Sequence, residues 1–293
     1  MRLFQAQSSA AILRGVAAVV IAAAMIASPS RVGAQSIPAQ TLRSAAAIVT
    51  SKGGRRTMLG SAFFVEVPST LFAGSSFVYL VTARHVLLDA AGEPVEKLQV
   101  VLEDARTGAS REDPLPDEPH WLLDLKHDSA DVAVLPYGAP TANIAPIPLS
   151  MLFAEVNQVK VGEMPDSVEA GASCFYLTAA ALGEPKSRFV PLARFCRVSV
   201  ADATEATVTG AGSQALYFVD APGAPEFSGA PVFAHAGDRY VLFGMMEPRA
   251  RSDVDAALIG LAGVMPASYI AETVEALAEA QERKARSKST IGH

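Results

Sequence analysis

The sequence has few charged and aromatic residues, only two cysteines and none of the common nucleotide-binding motifs. Charged residues make up 18% of the chain and hydrophobic residues 50%, which excludes a disordered, collagen-like or coiled-coil protein. No P-loop, dinucleotide fingerprint or internal repeat occurs. The 293 residues are therefore expected to bury a substantial hydrophobic core.

The most apolar run lies close to the amino terminus and is short. Val16–Ala27 follows a basic start that contains Arg2 and Arg14, and it precedes the small residues V-G-A at Val32–Ala34. Its length of about 12 residues is below the roughly 20 that a membrane-spanning helix needs. We interpret residues 1–34 as a signal peptide that directs export to the periplasm or the exterior, with an uncleaved membrane anchor as the alternative.

Acidic residues outnumber basic ones, and the excess is larger when the predicted signal peptide is left out. The chain has 24 Lys and Arg against 30 Asp and Glu, a net charge of −6. Removal of Arg2, Arg14 and Arg31 leaves 21 against 30, a net charge of −9. Such a protein has no reason to favour nucleic acid or an anionic membrane surface as a partner.

Three short motifs contain the residue types of a nucleophilic serine site. His85 ends V-T-A-R-H after an apolar strand-like run, and Asp131 begins D-V-A-V-L. Ser228 begins S-G-A-P-V after a turn rich in proline and glycine. A serine hydroxyl is a weak nucleophile, so it needs a base to accept its proton and a third group to orient that base.

These motifs resemble those of the trypsin/chymotrypsin-like serine peptidases, including their bacterial secreted and periplasmic relatives, over roughly Thr41–Leu277. The resemblance implies an all-β fold of two six-stranded antiparallel Greek-key barrels with a C-terminal α-helix. It also implies a serine endopeptidase that hydrolyses a peptide or protein substrate through an acyl-enzyme. No cofactor or metal is implied.

The resemblance assigns His85 as general base, Asp131 as its orienting acid and Ser228 as nucleophile. The oxyanion would be bound by the backbone N–H groups of Ser228 and Glu226. The family normally has glycine at the Glu226 position, and a side chain there opposes the backbone geometry that an oxyanion donor needs. A lost donor typically costs roughly 10²- to 10³-fold in rate. A catalytically impaired peptidase-fold binding protein, which would hold a peptide by strand addition, is therefore the alternative.

Two further positions depart from the family pattern. Phe227 stands where many relatives have an aspartate that pairs with a freed N-terminus, so activation by that route is not expected. Pro222 falls at the base of the primary specificity pocket, where no acid is present to hold a basic side chain. We therefore expect a small or apolar residue before the scissile bond.

The predicted organisation has four parts. Residues 1–34 form the signal peptide, 35–140 the N-terminal barrel with His85 and Asp131, 141–277 the C-terminal barrel with Ser228 and a closing helix, and 278–293 a charged tail. The prolines between 140 and 148 mark the connection between the barrels. Ser268 is the predicted N-cap of the closing helix.

The predicted strands follow the apolar runs between turn signals. Leu42–Ser51 and Met58–Val67 are expected to form a hairpin, with the small Gly60 and Ser61 packed behind the histidine. Glu103–Pro119 is predicted to be a charged, solvent-facing loop, and Ala206–Gly210 a strand of its own.

The two cysteines lie in consecutive strand-like runs. Cys174 and Cys196 flank the turn-like Leu182–Ser187, and an export signal places them where disulfides persist. A hairpin with a disulfide across its strands is the expected arrangement, and two buried free thiols are the alternative.

Other site interpretations are weaker. Asp128 is an alternative orienting acid, although Asp131 directly precedes the apolar strand as the family pattern requires. The spacing of His120, His127 and Asp128 matches no metal-ligand pattern, so no metal site is predicted. An esterase of the α/β-hydrolase type is excluded because the motif G-x-S-x-G is absent at Ser228.

Overall fold

The computed structural model describes residues 37–52, 54–104, 106–116, 122–123, 130–138, 143–151, 168–180, 189–208, 212–236, 239–248, 250–251 and 260–291. The predicted signal peptide and the residues His120, His127 and Asp128 lie outside these ranges. Pro38–His293 forms one compact unit.

The N-terminal half of this unit forms a sheet of eight strands. Their order along the sheet is β5-β4-β1-β2-β3-β7-β6, and β8 lies beside β2. All pairs are antiparallel except β2 with β8. The strands are β1 (Ala45–Lys52), β2 (Arg55–Pro68), β3 (Ser76–Ala83), β4 (Leu98–Glu103), β5 (Ser110–Pro114), β6 (Leu122–Leu123), β7 (Val132–Pro136) and β8 (Ile147–Pro148).

The C-terminal half forms a closed barrel. Six strands pair in the ring β9-β10-β11-β15-β13-β12 and back to β9, and β14 pairs with β10 outside this ring. All of these pairs are antiparallel. The strands are β9 (Ser173–Ala180), β10 (Val190–Val208), β11 (Gly212–Asp220), β12 (Pro231–Ala236), β13 (Arg239–Glu247), β14 (Ala250–Arg251) and β15 (Leu261–Pro266).

This architecture confirms the predicted fold class. The chain is mostly β, with a closed six-stranded antiparallel barrel, a second antiparallel sheet and a C-terminal helix. In the barrel the first three strands are neighbours in sequence order and the last three follow in reverse, which is a Greek-key arrangement. The N-terminal sheet begins in the same way: β1, β2 and β3 are neighbours in sequence order, and the later strand β7 lies beside β3.

The middle of strand β2 is fully buried in the N-terminal sheet. Successive side chains of a strand point to opposite faces, yet Phe63, Phe64 and Val65 are all fully buried. The middle of β2 is therefore covered on both faces. The predicted hairpin of β1 and β2 is confirmed, with Lys52 paired to Arg55 at its turn.

Two strand predictions were wrong. The segment predicted as a charged loop contains β5, whose backbone pairs with β4 and whose charges are neutralised by neighbours such as Arg56, which lies 3.0 Å from Glu112. The predicted strand Ala206–Gly210 is not separate over its described part, because Ala206–Val208 continue the 19-residue β10; residues 209–210 lie outside the described ranges. Register shifts between Val198 and Thr204 allow that strand to pair first with β9 and then with β11.

The closing helix also differs from its prediction. Helices α1 (Ala39–Leu42) and α2 (Ala267–Ile291) lie at the two ends of the unit. Ser268 is not the N-cap: α2 begins at Ala267 directly after Pro266, and the buried Ser268 Oγ has no hydrogen-bond partner. The helix continues to Ile291, through most of the segment predicted as a charged tail. No helix in the described ranges is both long and apolar enough to span a membrane.

Helix α2 follows the barrel in sequence but holds the N-terminal sheet. Glu282 accepts a 2.6 Å hydrogen bond from the Thr70 N–H and another from the Thr70 hydroxyl, and these bonds hold the pKa of that carboxyl below its usual range. One residue earlier, Gln281 accepts a 2.7 Å hydrogen bond from the Tyr79 hydroxyl. The helix thus fastens the two halves of the unit together.

The disulfide prediction is confirmed. Strands β9 and β10 pair with Cys174 directly opposite Cys196, and the two residues are bonded with a Cα–Cα distance of 4.9 Å. Both lie against the core of the barrel. The bond closes a loop between residues that are 22 apart in sequence.

Replacement of both cysteines by serine is expected to lower the free energy of unfolding by about 3 kcal/mol, because the unfolded chain regains the entropy of that loop. Urea denaturation of the oxidised protein and of the double variant measures the difference. An unchanged unfolding midpoint would show that the disulfide does not stabilise the barrel.

Candidate active site

The predicted base and acid lie at the ends of two neighbouring strands. Strand β3 ends at Ala83, and His85 follows in a 3₁₀ turn (Arg84–Leu87). Asp131 directly precedes β7, and the register pairs Ala83 with Val132. Because β3 and β7 are antiparallel neighbours, the end of one strand and the start of the other lie side by side.

Asp131 holds His85 at two points. Its Oδ1 accepts a 2.9 Å hydrogen bond from the His85 backbone N–H, and its Oδ2 lies 2.5 Å from the His85 Nδ1. The aspartate is almost fully buried, whereas 18% of the histidine side chain is exposed. The ring is therefore oriented by an acceptor at Nδ1, which leaves Nε2 as the nitrogen available to act as a base.

Ser228 lies at the end of a second 3₁₀ turn (Pro225–Phe227), just before β12. The residue is 1% exposed, and within the described part of the chain its Oγ has no hydrogen-bond partner. The described site therefore contains the predicted histidine–aspartate pair but no hydrogen bond from the serine to the histidine.

The serine loop contacts β2 through the backbone. The Ser61 N–H donates a 2.8 Å hydrogen bond to the Ser228 carbonyl. A Cβ at Gly60 would lie 2.8 Å from that carbonyl and 2.6 Å from Val86 in the histidine turn, so no larger residue fits. This confirms the prediction that small residues pack behind the histidine.

Gly229 is confined even more tightly. Its φ of +83° favours glycine, and a Cβ there would lie 2.1 Å from the Ser61 carbonyl oxygen. Its N–H donates a 3.1 Å hydrogen bond to the Met246 carbonyl of β13. The residue after the serine is thus held by both halves of the unit.

One of the two backbone N–H groups predicted to bind an oxyanion has an internal hydrogen-bond partner in this conformation. The Ser228 N–H donates a 3.1 Å hydrogen bond to the Pro225 carbonyl, which closes the 3₁₀ turn. The Glu226 carbonyl accepts a 3.0 Å hydrogen bond from the Ser61 hydroxyl. One of the two predicted donors, Ser228, is therefore already in use.

Phe227 anchors the serine loop by packing. Its ring contacts the barrel core and lies 5.5 Å from the Tyr176 ring, and the Arg194 guanidinium lies 4.9 Å above it. An aromatic residue thus holds the loop at the position where the resembled family has an aspartate. Pro222 is exposed, and the next residue, Gly223, lies against Pro248.

Sequence reasoning missed one residue of the site. Glu247 is 1% exposed at the end of β13, and its Oε2 lies 3.6 Å from the His85 Nδ1. The ligand atoms of His85, Asp131 and Glu247 all lie within 4.8 Å of one another. The only signal in the sequence is an acid that directly follows the apolar run Tyr240–Met246.

These three side chains are of types that bind metal ions, but their spacing is that of a hydrogen-bonded group. Two ligands at about 2.0–2.2 Å from one ion in tetrahedral geometry are roughly 3.4 Å apart. The His85 Nδ1 and the Asp131 Oδ2 lie closer together than that, at the distance of a direct hydrogen bond. The described geometry is therefore that of a histidine hydrogen-bonded to one carboxylate, with a second carboxylate nearby.

No family model matches the chain, and no curated protein matches it. Two similar solved structures are of Rv3671c from M. tuberculosis H37Rv, both at 17% sequence identity. The inactive form, a serine-to-alanine mutant, has a TM-score of 0.43, with 80% of this chain and 87% of that chain covered. The active form of this protease has a TM-score of 0.45, with 80% and 81% covered. At this distance neither structure assigns an activity to the chain.

Gly229→Ala is expected to destabilise the protein by about 3 kcal/mol or more, because the new methyl group would overlap the Ser61 carbonyl at a strained φ. Gly54→Ala is the matched control: its φ is +77°, but no atom lies within 4 Å of the new Cβ. The control isolates the conformational cost of about 1 kcal/mol. Thermal unfolding of both variants measures the difference, and equal losses would contradict a close approach at Gly229.

Proposed function

We propose that this chain is an exported serine endopeptidase whose catalytic residues are His85, Asp131 and Ser228. The observation that carries the proposal is the pairing of His85 with a buried Asp131 through both the ring and the backbone. A general base requires a hydrogen-bond acceptor at Nδ1 that keeps the proton there and leaves Nε2 free to accept another, and a buried carboxylate provides that acceptor. The hydrogen bond from the Ser61 N–H of β2 to the Ser228 carbonyl and the position of Gly60 against both that carbonyl and Val86 of the histidine turn support the assignment of Ser228 as nucleophile.

In the proposed reaction the Ser228 Oγ attacks the carbonyl carbon of the scissile peptide bond. Its proton passes to the His85 Nε2, which then protonates the leaving amine as the C–N bond breaks. Water hydrolyses the acyl-enzyme by the same route in reverse. Asp131 accepts the Nδ1–H throughout and stabilises the imidazolium that forms in each step.

The conformation described here corresponds to a resting state of this enzyme. The Ser228 N–H must leave the Pro225 carbonyl before it can bind a substrate oxyanion, and the Ser228 hydroxyl must turn towards His85. A neutral backbone hydrogen bond contributes about 1 kcal/mol, so substrate binding is sufficient to break it. The position that lies at the base of the primary pocket in the resembled family is Pro222 and not an acid, so we infer a small or apolar residue before the scissile bond.

The second candidate function is that of a peptide-binding protein on the same fold. Two observations favour it: the Ser228 Oγ has no hydrogen-bond partner among the described residues, and the Ser228 N–H is already bonded to the Pro225 carbonyl. A chain that had lost catalysis could retain this turn, because nothing would require the two oxyanion donors to converge. The fold alone does not decide between the two functions.

Treatment of the chain from Gln35 to His293 with a fluorophosphonate is expected to label Ser228. Its Oγ forms a bond to phosphorus as fluoride leaves and the proton moves to His85. Mass spectrometry locates the adduct, and Ser228→Ala and His85→Ala should both abolish it. A folded, monodisperse protein that is not labelled at Ser228 would reject the peptidase and favour the binding protein.

Glu226→Gly is expected to accelerate this labelling by about 10- to 100-fold, because glycine at this position lets the backbone turn the residue 226 N–H towards the oxyanion as a second donor. Glu226→Ala is the matched control, since it removes the carboxylate but keeps a Cβ. Equal acceleration in both variants would show that charge, and not backbone freedom, limits the reaction.

A further inference from the structure

Two carboxylates face one nitrogen of His85. The Asp131 Oδ2 lies 2.5 Å from the Nδ1 and the Glu247 Oε2 lies 3.6 Å from the same atom. Both acids are almost fully buried, with side chains 4% and 1% exposed. A glutamate with so little solvent contact is uncommon in folded proteins unless it is paired.

The two acids come from different halves of the unit. Asp131 precedes β7 of the N-terminal sheet, whereas Glu247 ends β13 of the barrel. Met246, the residue before Glu247, makes two backbone hydrogen bonds to the segment after the serine. The Gly229 N–H donates to the Met246 carbonyl, and the Met246 N–H donates to the Ala230 carbonyl. Glu247 is thus tied by the backbone to the loop that carries the serine.

The charge arrangement favours a role in orienting the imidazole. Any positive charge that develops on His85 would lie within 3.6 Å of both carboxylates, in an environment that screens charge much less than water does. The Glu247 Oε2 is also close enough to become a second acceptor for the Nδ1–H after a small side-chain movement. Both effects favour the tautomer with the proton on Nδ1 and therefore a basic Nε2.

We propose that Glu247 is a second positioning residue for His85, which supports Asp131 in holding the Nδ1–H tautomer and in stabilising the imidazolium. This inference rests on the proposed function, because it concerns the same histidine. Glu247 does not replace Asp131 in the native protein, where the aspartate is the closer acceptor. It accepts the Nδ1–H when the aspartate is removed, and it links the orientation of the base to the position of the serine loop.

The first test reads the tautomer directly and needs no activity. Nitrogen-15 NMR of histidine-labelled protein, with the His85 signals assigned from His85→Gln, reports which ring nitrogen carries the proton in the neutral ring. We expect the Nδ1–H form to persist in Asp131→Ala and in Glu247→Leu but to be lost in the double variant. The same tautomer ratio in Asp131→Ala and in the double variant would overturn the inference.

The second test measures the rate of fluorophosphonate labelling at Ser228. Glu247→Leu is expected to slow labelling by about 10-fold, and Glu247→Gln, which keeps the volume and an acceptor oxygen but loses the charge, by a smaller factor. In Asp131→Ala the further change Glu247→Leu should cost about 100-fold, more than it costs in the native protein. Purely additive losses would contradict a supporting role for Glu247.

Controls separate this inference from loss of folding and from failure of the proposed function. Glu66→Leu removes another strand carboxylate, in β2, and should change neither readout. Circular dichroism of each variant confirms that the strands are retained, and Glu247→Gln serves in both tests if Glu247→Leu does not fold. If native protein is not labelled at all, the peptidase is rejected, while the NMR result still decides whether Glu247 orients His85.

Discussion

The candidate site depends on the hydrogen bond from the Ser61 N–H to the Ser228 carbonyl, because this bond joins the sheet that carries the histidine to the loop that carries the serine. The backbones approach this closely only because Gly60 and Gly229 have no side chain. A Cβ at either position would overlap a carbonyl oxygen of the other segment. Two glycines that are distant in sequence therefore set the position of the serine.

The two parts of the site are organised by different forces. The His85–Asp131 pair is pre-assembled, since antiparallel pairing of β3 with β7 places the residues together and burial strengthens their hydrogen bonds. The serine loop follows local preferences instead: Pro225 suits the first position of a 3₁₀ turn, and Glu226 favours ordinary backbone angles. In the proposed peptidase the loop is therefore the part that must rearrange.

Most of the strands in both halves could be predicted because apolar runs between turn signals are a local property of the sequence. Strand β5 could not, since its charged residues are typical of a loop and only pairing with β4 and ion pairs such as Arg56 with Glu112 make it a strand. Strand β10 continues past its pairing with β9 and pairs with β11 through register shifts, which no residue pattern in the sequence predicts. The start of α2 at Ala267 is decided by the end of β15 and by Pro266, not by the capping preference of Ser268.

The sequence alone predicted the fold class and the three segments that end at or begin with His85, Asp131 and Ser228, because short motifs and apolar runs between turn signals are local properties of a chain. It also predicted the disulfide, because the chain has only two cysteines and they lie in consecutive strand-like runs. Only the tertiary structure decided the rest. The use of the Ser228 N–H by Pro225, the close approach at Gly229 and the place of Glu247 beside the imidazole all arise from contacts between segments. Glu247 lies 162 positions after His85, and nothing local to either residue indicates that strand pairing brings them within 3.6 Å.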